Sequence, residues 1–442
     1  MRITYKTGIK IFMNVVFFIA ISCESLVAQK DYKATLYGQN FNAGSYIEYI
    51  RILEDNQSEI IGSNQSKTPL FPDGLYYQVL ALYYSYVGET QKAEKLMSKV
   101  IGGINTNVVD IEEYKKIKVS QEFDVIKKEM SRSKIVMINE AHHQPHHRIF
   151  TYNSLEVLYK EGFRYLLLEG INSSEESLLN QRGYPVLDKM RSCSYPEPLY
   201  GNMVRRALNL GFKIIAYDYG SGNCEYAEAQ PFYCVNKREL FACRNIQKVL
   251  SQDSSAKIVI HCGYDHIKEK TDDDQVTLGE VIKIMTSIDP FTINQTEMRE
   301  RGNEKSEHHE YQYLKSNVKF DKTSFLTDTL SWFWFLPGRK GHFDAYLIHP
   351  PVSLNKYSRP TYLDEMNNVS KYIFIPNKIY GKTEDGYLVQ AFSSSEINGM
   401  PLDQFIIKNM NDNYALYLPK GKYSICFRNK KGELVYKIEI VI

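Results

Sequence analysis

Short apolar runs that end in polar residues constrain the fold of this chain more than any other feature. The runs are rich in β-branched side chains, which is typical of strands that are buried on both faces of a parallel sheet. Segments with helical spacing of apolar residues separate them, so the order predicts right-handed βαβ units and an α/β fold with a mostly parallel sheet. The runs with their polar ends are KIVMINEAHHQPHH (134–147), RYLLLEG (164–170), KIIAYDYG (213–220), KIVIHCGYDH (257–266) and HFDAYLIHP (342–350), and DPFTINQT (289–296) is a further predicted strand.

Three of these segments hold eight of the ten histidines in the chain. In an open parallel sheet the carboxyl ends of the strands form the ligand-binding crevice, so residues far apart in sequence can meet there. We predict a functional site at that edge of the sheet. The catalytic candidates are Glu140, His142, His143 and His266, and the candidates for cofactor binding are Glu169, Asp218 and His349.

Four other histidines are expected to lie outside the site. His146 and His147 begin a predicted helix, and a position facing solvent is the expectation for both. His308 and His309 lie in a polar stretch that predicts a surface loop.

A carboxylate beside an imidazole suits general acid/base catalysis. Histidine titrates near neutral pH, and a carboxylate can orient it or activate a water molecule. Glu140 with either His142 or His143 is such a pair. Glu140, His142 and His266 also supply the nitrogen and oxygen donors that bind a divalent metal ion. For each histidine, a hydrogen-bonded structural role is the alternative.

The first thirty residues have the order of a secretory signal peptide. Basic residues precede an apolar run at 11–21, which is too short to span a membrane, and small residues follow it. We predict a signal peptide at 1–28 and an exported protein, located in the periplasm, in the cell envelope or outside the cell. Lipidation of Cys23 is the alternative, and it would anchor the protein to a membrane.

Cysteine usage fits an oxidising compartment. Six cysteines follow the predicted signal peptide, and four of them fall between Cys193 and Cys243. Such a compartment would permit one or two disulfides in this region. The CxxC spacing does not occur in the sequence, which argues against a thiolate zinc site and a thioredoxin-like redox site.

Two segments flank the α/β part, which we place at 131–355. Residues 29–130 are predicted to be helical, with a pair of helices that resembles a single tetratricopeptide-like hairpin. Residues 356–442 contain short alternating segments, and alternate residues at 423–427 share one face before a hairpin turn. We predict a small all-β, sandwich-like domain there.

Two short motifs resemble those of a known superfamily. NEAH at 139–142 and GYDH at 263–266 are similar to the paired GxxH motifs of the Tiki/TraB and ChaN-like superfamily, whose fold is similar to that of erythromycin esterase-like proteins. Asn139 stands where the pattern has glycine, and because asparagine tolerates a left-handed backbone we expect the turn to survive. The esterase-like spacing would select His143 as the partner of the glutamate.

The resemblance implies a Tiki/ChaN-like core and one of two functions. The first is a hydrolase, metal-dependent as in the Tiki proteases, and the second is a haem-binding protein as in ChaN. It covers about 131–296 of the chain and neither flank.

The charge balance bears on the binding partners. Lysine plus arginine (54) nearly equals aspartate plus glutamate (52), so no strong field favours nucleic acid. We expect a small-molecule or peptide substrate. The sequence therefore predicts an exported hydrolase of ester or amide bonds, with a divalent metal as its candidate cofactor. A haem- or iron-binding envelope protein and a non-catalytic scaffold or adhesion module are the alternatives.

Overall fold

A computed structural model of the chain describes residues 31–36, 38–63, 72–102, 111–121, 123–187, 195–219, 232–271, 275–329, 333–377 and 386–442. Within these ranges, no helix is long and apolar enough to cross a membrane. The predicted signal peptide, Cys23, Cys193 and Cys224 lie outside the described residues.

Helices dominate the described residues before the central sheet. Two of them, at 72–86 and 90–97, lie on either side of Gly88, where the sequence predicts a helical hairpin. Gly88 has a φ of +79°, a conformation that favours glycine at the end of a helix. The helices are α1 (Asp31–Leu36), α2 (Ser45–Asp55), α3 (Gln57–Ser63), α4 (Pro72–Tyr86), α5 (Thr90–Met97) and α6 (Ile111–Tyr114).

An eight-stranded sheet forms the centre of the described structure. Its strands are β1 (Lys118–Ser120), β2 (Ile135–Glu140), β3 (Tyr165–Leu168), β4 (Lys213–Ala216), β5 (Ile258–Gly263), β6 (Phe291–Met298), β7 (Ser324–Thr327) and β8 (Ala345–Ile348). The spatial order is β1-β7-β8-β6-β2-β5-β3-β4. Every pair from β8 to β4 is parallel, and β7 is antiparallel to both of its neighbours. The prediction of a mostly parallel sheet is confirmed.

Helices cover both faces of the sheet, as its apolar runs require. Val136 and Ile138 of β2 belong to the core on one face, Ile135 and Met137 to the core on the other, and all four are fully buried. This is the pattern of a strand that meets helices on both sides. The helices are α7 (Phe123–Arg132), α8 (His146–Lys160), α9 (Glu176–Arg182), α10 (Pro198–Leu210), α11 (Tyr233–Gln252), α12 (Leu278–Thr286) and α13 (His309–Asn317).

Two strands at one edge of the sheet are absent from the sequence prediction. β1 (KVS) contains one apolar residue and β7 (SFLT) contains two, so neither forms an apolar run that stands out from its flanks. β7 owes its place to pairing with β8, and β1 to pairing with β7, which is a tertiary effect.

The C-terminal part consists of two small antiparallel sheets that share one core. Its strands are β9 (Ser370–Phe374), β10 (Leu388–Ser393), β11 (Asp403–Ile406), β12 (Tyr414–Leu418), β13 (Lys422–Arg428) and β14 (Leu434–Val441). One sheet has the order β11-β10-β13-β14, and the other pairs β12 with β9. Tyr423, Ile425 and Phe427 face the shared core, so the predicted alternation in β13 is confirmed.

The helical segment packs against this C-terminal part as well as against the α/β part. Leu388 and Met400 belong to the same apolar cluster as the N-terminal helices. The Gln404 side-chain amide donates a hydrogen bond to the Tyr86 carbonyl oxygen at 2.9 Å. The three parts of the chain are therefore joined by direct contacts.

The described cysteines differ in their bonding. Cys234 is disulfide-bonded, whereas Cys243, Cys262 and Cys426 are free and buried.

Candidate functional site

Glu140, the last residue of β2, is the centre of a buried network. Its two oxygens accept hydrogen bonds from the Arg148 guanidinium, from Nε at 2.6 Å and from Nη2 at 2.7 Å. Two imidazoles complete its contacts, with His142 Nδ1 at 2.9 Å and His261 Nε2 at 2.8 Å. Charge-assisted, bidentate hydrogen bonds of this kind are among the strongest in proteins.

This network changes the role that the sequence predicts for Glu140. Burial alone would raise its pKa, but Arg148, followed by His142 and His261, outweighs that effect and holds the pKa of Glu140 well below its ordinary value. Such a carboxylate is a weak base and does not activate water, which corrects the predicted role. Arg148 also occupies the positions that a cation would take, so the structure does not support Glu140 as a metal ligand.

His142 is held in a single orientation by Glu140. Because an ionised carboxylate only accepts hydrogen bonds, His142 Nδ1 carries a hydrogen, and in the neutral ring Nε2 then carries the lone pair. Nε2 has no hydrogen-bond partner in the described part of the chain, and the side chain is 10% exposed. The rings of Tyr195 and Tyr264 contact the imidazole edge-on, with centroids 5.3 and 5.5 Å away. Nε2 can therefore accept a proton from a bound molecule.

Gly263, the last residue of β5, makes room for the His142 ring. It is the register partner of Glu140 in the parallel β2–β5 pair. A Cβ atom at this position would lie 2.6 Å from both Cε1 and Nε2 of His142, and 3.4 Å from a carboxylate oxygen of Glu169. The φ of Gly263 is −74°, which any residue adopts, so the glycine is required for space and not for backbone conformation.

We expect Gly263→Ala to displace the His142 ring and to destabilise the fold by about 1–3 kcal/mol, the usual cost of overpacking. Denaturant unfolding measures the stability, and the NMR resonances of the His142 ring report its displacement. The control is Gly102→Ala, where nothing among the described residues lies within 4 Å of the added methyl group. Unchanged His142 resonances in Gly263→Ala would contradict the packing described above.

Glu169 follows β3 and forms the second part of the site. One oxygen accepts the Gly263 backbone N–H at 2.8 Å, and the other accepts from Nη2 of Arg238. Arg238 also binds Asp218, after β4, with Nε and Nη2 at 2.8 and 2.6 Å. Burial would raise the pKa of Glu169, but Arg238, followed by His266 and His142, outweighs it and lowers that pKa. Glu169 is therefore an ionised anchor for its neighbours.

His266 lies against the same anchor. Its Nδ1 is 2.7 Å from a carboxylate oxygen of Glu239, and its Nε2 is 3.7 Å from Glu169. Burial would lower the pKa of His266, but the charges of Glu239 and Glu169 outweigh it and raise that pKa above its ordinary value. His266 therefore keeps its proton to higher pH than a free histidine and suits the role of a proton donor.

The predicted convergence at the carboxyl edge is present for five of the seven candidates. Their strands β2, β5, β3 and β4 are neighbours in the sheet. His142 and Glu169 both approach Gly263, and Arg238 links Glu169 to Asp218. His266 contacts Glu169 and not Glu140, so the predicted set of metal ligands does not surround a single point.

His143 turns away from Glu140. Its Nε2 is 2.9 Å from Glu94 in α5, and its Nδ1 is 3.2 Å from the Tyr264 hydroxyl. Glu94 also binds Arg299 and the backbone N–H of Gly302. Of the two spacings that the sequence leaves open, the structure therefore pairs the glutamate with His142, and His143 joins the helical segment to the α/β part.

Glu94 should make stability depend on pH. Burial would raise its pKa, but Arg299 and His143 lower it from 4.5 to about 2. The unfolded chain then binds the proton more tightly, so this contribution is complete above pH ~5 and is lost as pH falls towards 2. We expect Glu94→Gln to cost about 2–3 kcal/mol at neutral pH and much less at pH ~3, as measured by denaturant unfolding.

The control for Glu94 is Glu54→Gln. Glu54 forms an ion pair with Lys92, but its side chain is 45% exposed, and such surface pairs contribute little. Equal effects of Glu94→Gln at the two pH values would contradict the buried ion pair.

His349 groups with His146 and His147 at another point of the same edge. Their ring centroids are 4.5 to 4.6 Å apart, and one nitrogen from each lies within 4.8 Å of the others. The expectation that His146 and His147 face solvent is wrong, because the first turn of α8 is buried. His308 is also buried and precedes α13, so the prediction of a surface loop fails there too.

Asn139 replaces the motif glycine in an unexpected way. It lies within β2, and its side-chain oxygen accepts the Gln295 backbone N–H at 2.7 Å. Its amide donates to the Tyr264 carbonyl oxygen at 2.7 Å. The residue with the positive φ is Tyr264 (+37°), not Asn139. Asn139 therefore ties the second motif to β2, which corrects the expectation of a left-handed turn.

Sequence reasoning missed Arg148, Arg238 and Glu239 because they lie on helices and not after strands. A signal for one of them exists in the sequence. Arg238 falls three residues after Val235 and four before Ala242, on the buried stripe of α11. A charged residue in such a stripe predicts a buried ion pair.

Comparison with known proteins gives few matches. No protein-family model matches the chain, and no curated protein does. The solved structure of the type III effector HopBA1 is similar at 12% identity and a TM-score of 0.29, over 43% of this chain and 94% of that one. RRSP, a MARTX toxin effector domain from Vibrio vulnificus CMCP6, is similar at 14% identity and a TM-score of 0.29, over 65% and 70%.

A structure described as bacterial protein toxins is similar at 13% identity and a TM-score of 0.30, over 65% of each chain. TM-scores this low do not establish a shared fold, so these likenesses decide nothing about this chain.

Proposed function

We propose that the protein hydrolyses an ester or amide bond at the sheet edge where His142 and His266 lie. One observation carries the proposal. Glu140 and Arg148 fix His142 so that Nδ1 is bound and Nε2 is left with a lone pair. A buried orienting carboxylate behind a partly accessible imidazole is the arrangement that a general base requires.

The chemistry assigns a role to each half of the site. His142 Nε2 takes a proton from a water molecule whose oxygen forms a bond to the substrate carbonyl carbon. His266, in its protonated form, gives its Nε2 proton to the leaving oxygen or nitrogen as the carbon–heteroatom bond breaks, and the lone pair left on Nε2 then accepts a hydrogen bond from Nη1 of Arg238, which lies 3.4 Å away. Proton exchange with water then restores both imidazoles. Glu140 positions His142, and the Glu169–Arg238 pair positions His266, without either carboxylate changing its protonation.

The wider setting is part of the same proposal. The two motifs support a Tiki/ChaN-like core, with the small sheets of the C-terminal part as a sandwich-like domain. The disulfide at Cys234 supports an exported protein, because disulfides persist in oxidising compartments. The candidate substrate is a small molecule or a peptide.

The test is a panel of ester and peptide substrates assayed with the purified wild-type chain, beside a haem titration. Hydrolysis that depends on His142 supports the proposal. A histidine-dependent haem absorption band without hydrolysis would favour the haem-binding alternative. If neither signal is observed, the scaffold alternative is favoured.

A further inference from the structure

The buried group of His146, His147 and His349 has unused binding capacity. Both nitrogens of His146, Nε2 of His147 and Nε2 of His349 are buried without a hydrogen-bond partner among the described residues. Leaving buried polar atoms unpaired costs about 1–3 kcal/mol each. Four such nitrogen atoms in one buried group indicate a bound partner to which imidazole nitrogens can donate their lone pairs.

The contacts of the other two nitrogens define the ligand further. His349 Nδ1 is 3.1 Å from the Thr323 hydroxyl oxygen, and an Nδ1–H that donates to this oxygen leaves the lone pair on Nε2. This is the outer contact that metal-binding histidines usually make. His147 Nδ1 accepts the Ala141 backbone N–H at 2.9 Å, so in the neutral ring the hydrogen lies on Nε2. To bind a metal, His147 must either lose this hydrogen or break its hydrogen bond with Ala141. His146 and His349 are therefore the primary ligands.

The charges around the group also bear on its ligand. Imidazole binds metal in its neutral form. Arg299 opposes a cation, but its ion pair with Glu94 offsets that charge.

We propose that His146, His147 and His349 bind a transition-metal ion of the Zn²⁺ or Co²⁺ type. Imidazole nitrogen is a preferred ligand for these ions, and three histidines leave one position for water. His146 and His147 begin α8, and His349 follows β8. The ion joins these two elements and fixes the turn at 141–145, which carries His142. It is a site distinct from the Glu140 network and does not depend on the proposed hydrolysis.

The test is a Co²⁺ titration of the full-length, metal-free protein, followed by visible absorption and by thermal unfolding. We expect one Co²⁺ to bind per chain. The visible d–d absorption should be that of a cobalt ion with a low coordination number, and the midpoint temperature of unfolding should rise with metal concentration. His146→Ala and His349→Ala should abolish the absorption. His309→Ala, a change to a half-buried histidine outside the group, should leave it intact.

Thr323→Val keeps all three ligands and removes the outer contact of His349. It should weaken Co²⁺ binding by about 10–100-fold, so the proposal stays testable if the alanine variants fail to fold. Absence of the absorption in folded wild type, or its persistence in His146→Ala and His349→Ala, would overturn the site. Stabilisation by inorganic phosphate in place of the metal would assign the group to an anion and would also overturn it.

Discussion

His142→Ala is expected to lower the rate of ester or amide hydrolysis by about 10²–10⁴-fold, the usual contribution of a general base. The His142 side chain is 10% exposed and follows β2, so its removal leaves the apolar core intact. Initial rates at saturating and at low substrate concentration measure the effect. Because the imidazole acts on water and not on binding, kcat should fall much more than KM changes.

Two variants accompany His142→Ala. Glu140→Gln should also lower kcat, because the side-chain amide no longer enforces hydrogen on Nδ1 of His142. His309→Ala should have no effect on the rate. Full activity in folded His142→Ala would show that His142 is not the general base. The haem-binding alternative expects a different result, in which Glu140→Gln is nearly silent and the loss of His142 or His266 abolishes the haem spectrum.

The pH profile of the same reaction separates the two histidines. His266 acts in its protonated form, and its raised pKa means that this form persists to higher pH than in a free histidine. The rate should therefore fall as pH rises through that pKa, and His266→Gln should remove this limb of the profile while lowering the maximum rate.

Arg148→Met is expected to destabilise the protein by about 3–5 kcal/mol, because it leaves two buried carboxylates without their partner. Arg148 is fully buried, binds both oxygens of Glu140 and donates to Glu197 at 2.8 Å. Burial already raises the pKa of Glu197, so the loss of Arg148 would favour its protonation. Denaturant unfolding measures the loss.

The matched control is Arg206→Met on a neighbouring helix. Arg206 pairs with Glu156, but the side chains are 21% and 42% exposed, so a change of about 0–1 kcal/mol is expected. The double variant Arg148→Met with Glu140→Gln should recover part of the stability, since it removes one of the two buried carboxylates that are left without a partner. Equal effects of the two arginine variants would contradict the burial of the Glu140 network.

The sequence predicts the core of the fold because six strands carry apolar residues in a pattern that stands out from the flanking residues. β2 and β5 also end in residues whose chemistry is visible in the sequence, so Glu140 and His266 could be selected. β1 and β7 could not be found, because one or two apolar residues form no recognisable pattern and their pairing is with strands distant in sequence.

The position of the candidate site could be predicted, but the hydrogen bonds and ion pairs within it could not. Glu140 has the right place and a different role, since its pKa is set by Arg148 on α8. The choice between His142 and His143 depends on Glu94, which approaches from the helical segment. Residues on separate elements decide each of these outcomes, and no local pattern records such a contact.

The contact between α4 and the C-terminal sheets has a consequence for the order of events during synthesis. The Tyr86 carbonyl and the Gln404 amide that binds it are 318 residues apart in the chain. The helical segment is made before the C-terminal sheets, yet its apolar cluster includes Leu388 and Met400. This side of the cluster is therefore completed only after the C-terminal sheets have been made, and such late, non-local closure is slow and leaves apolar surface open to aggregation in the meantime.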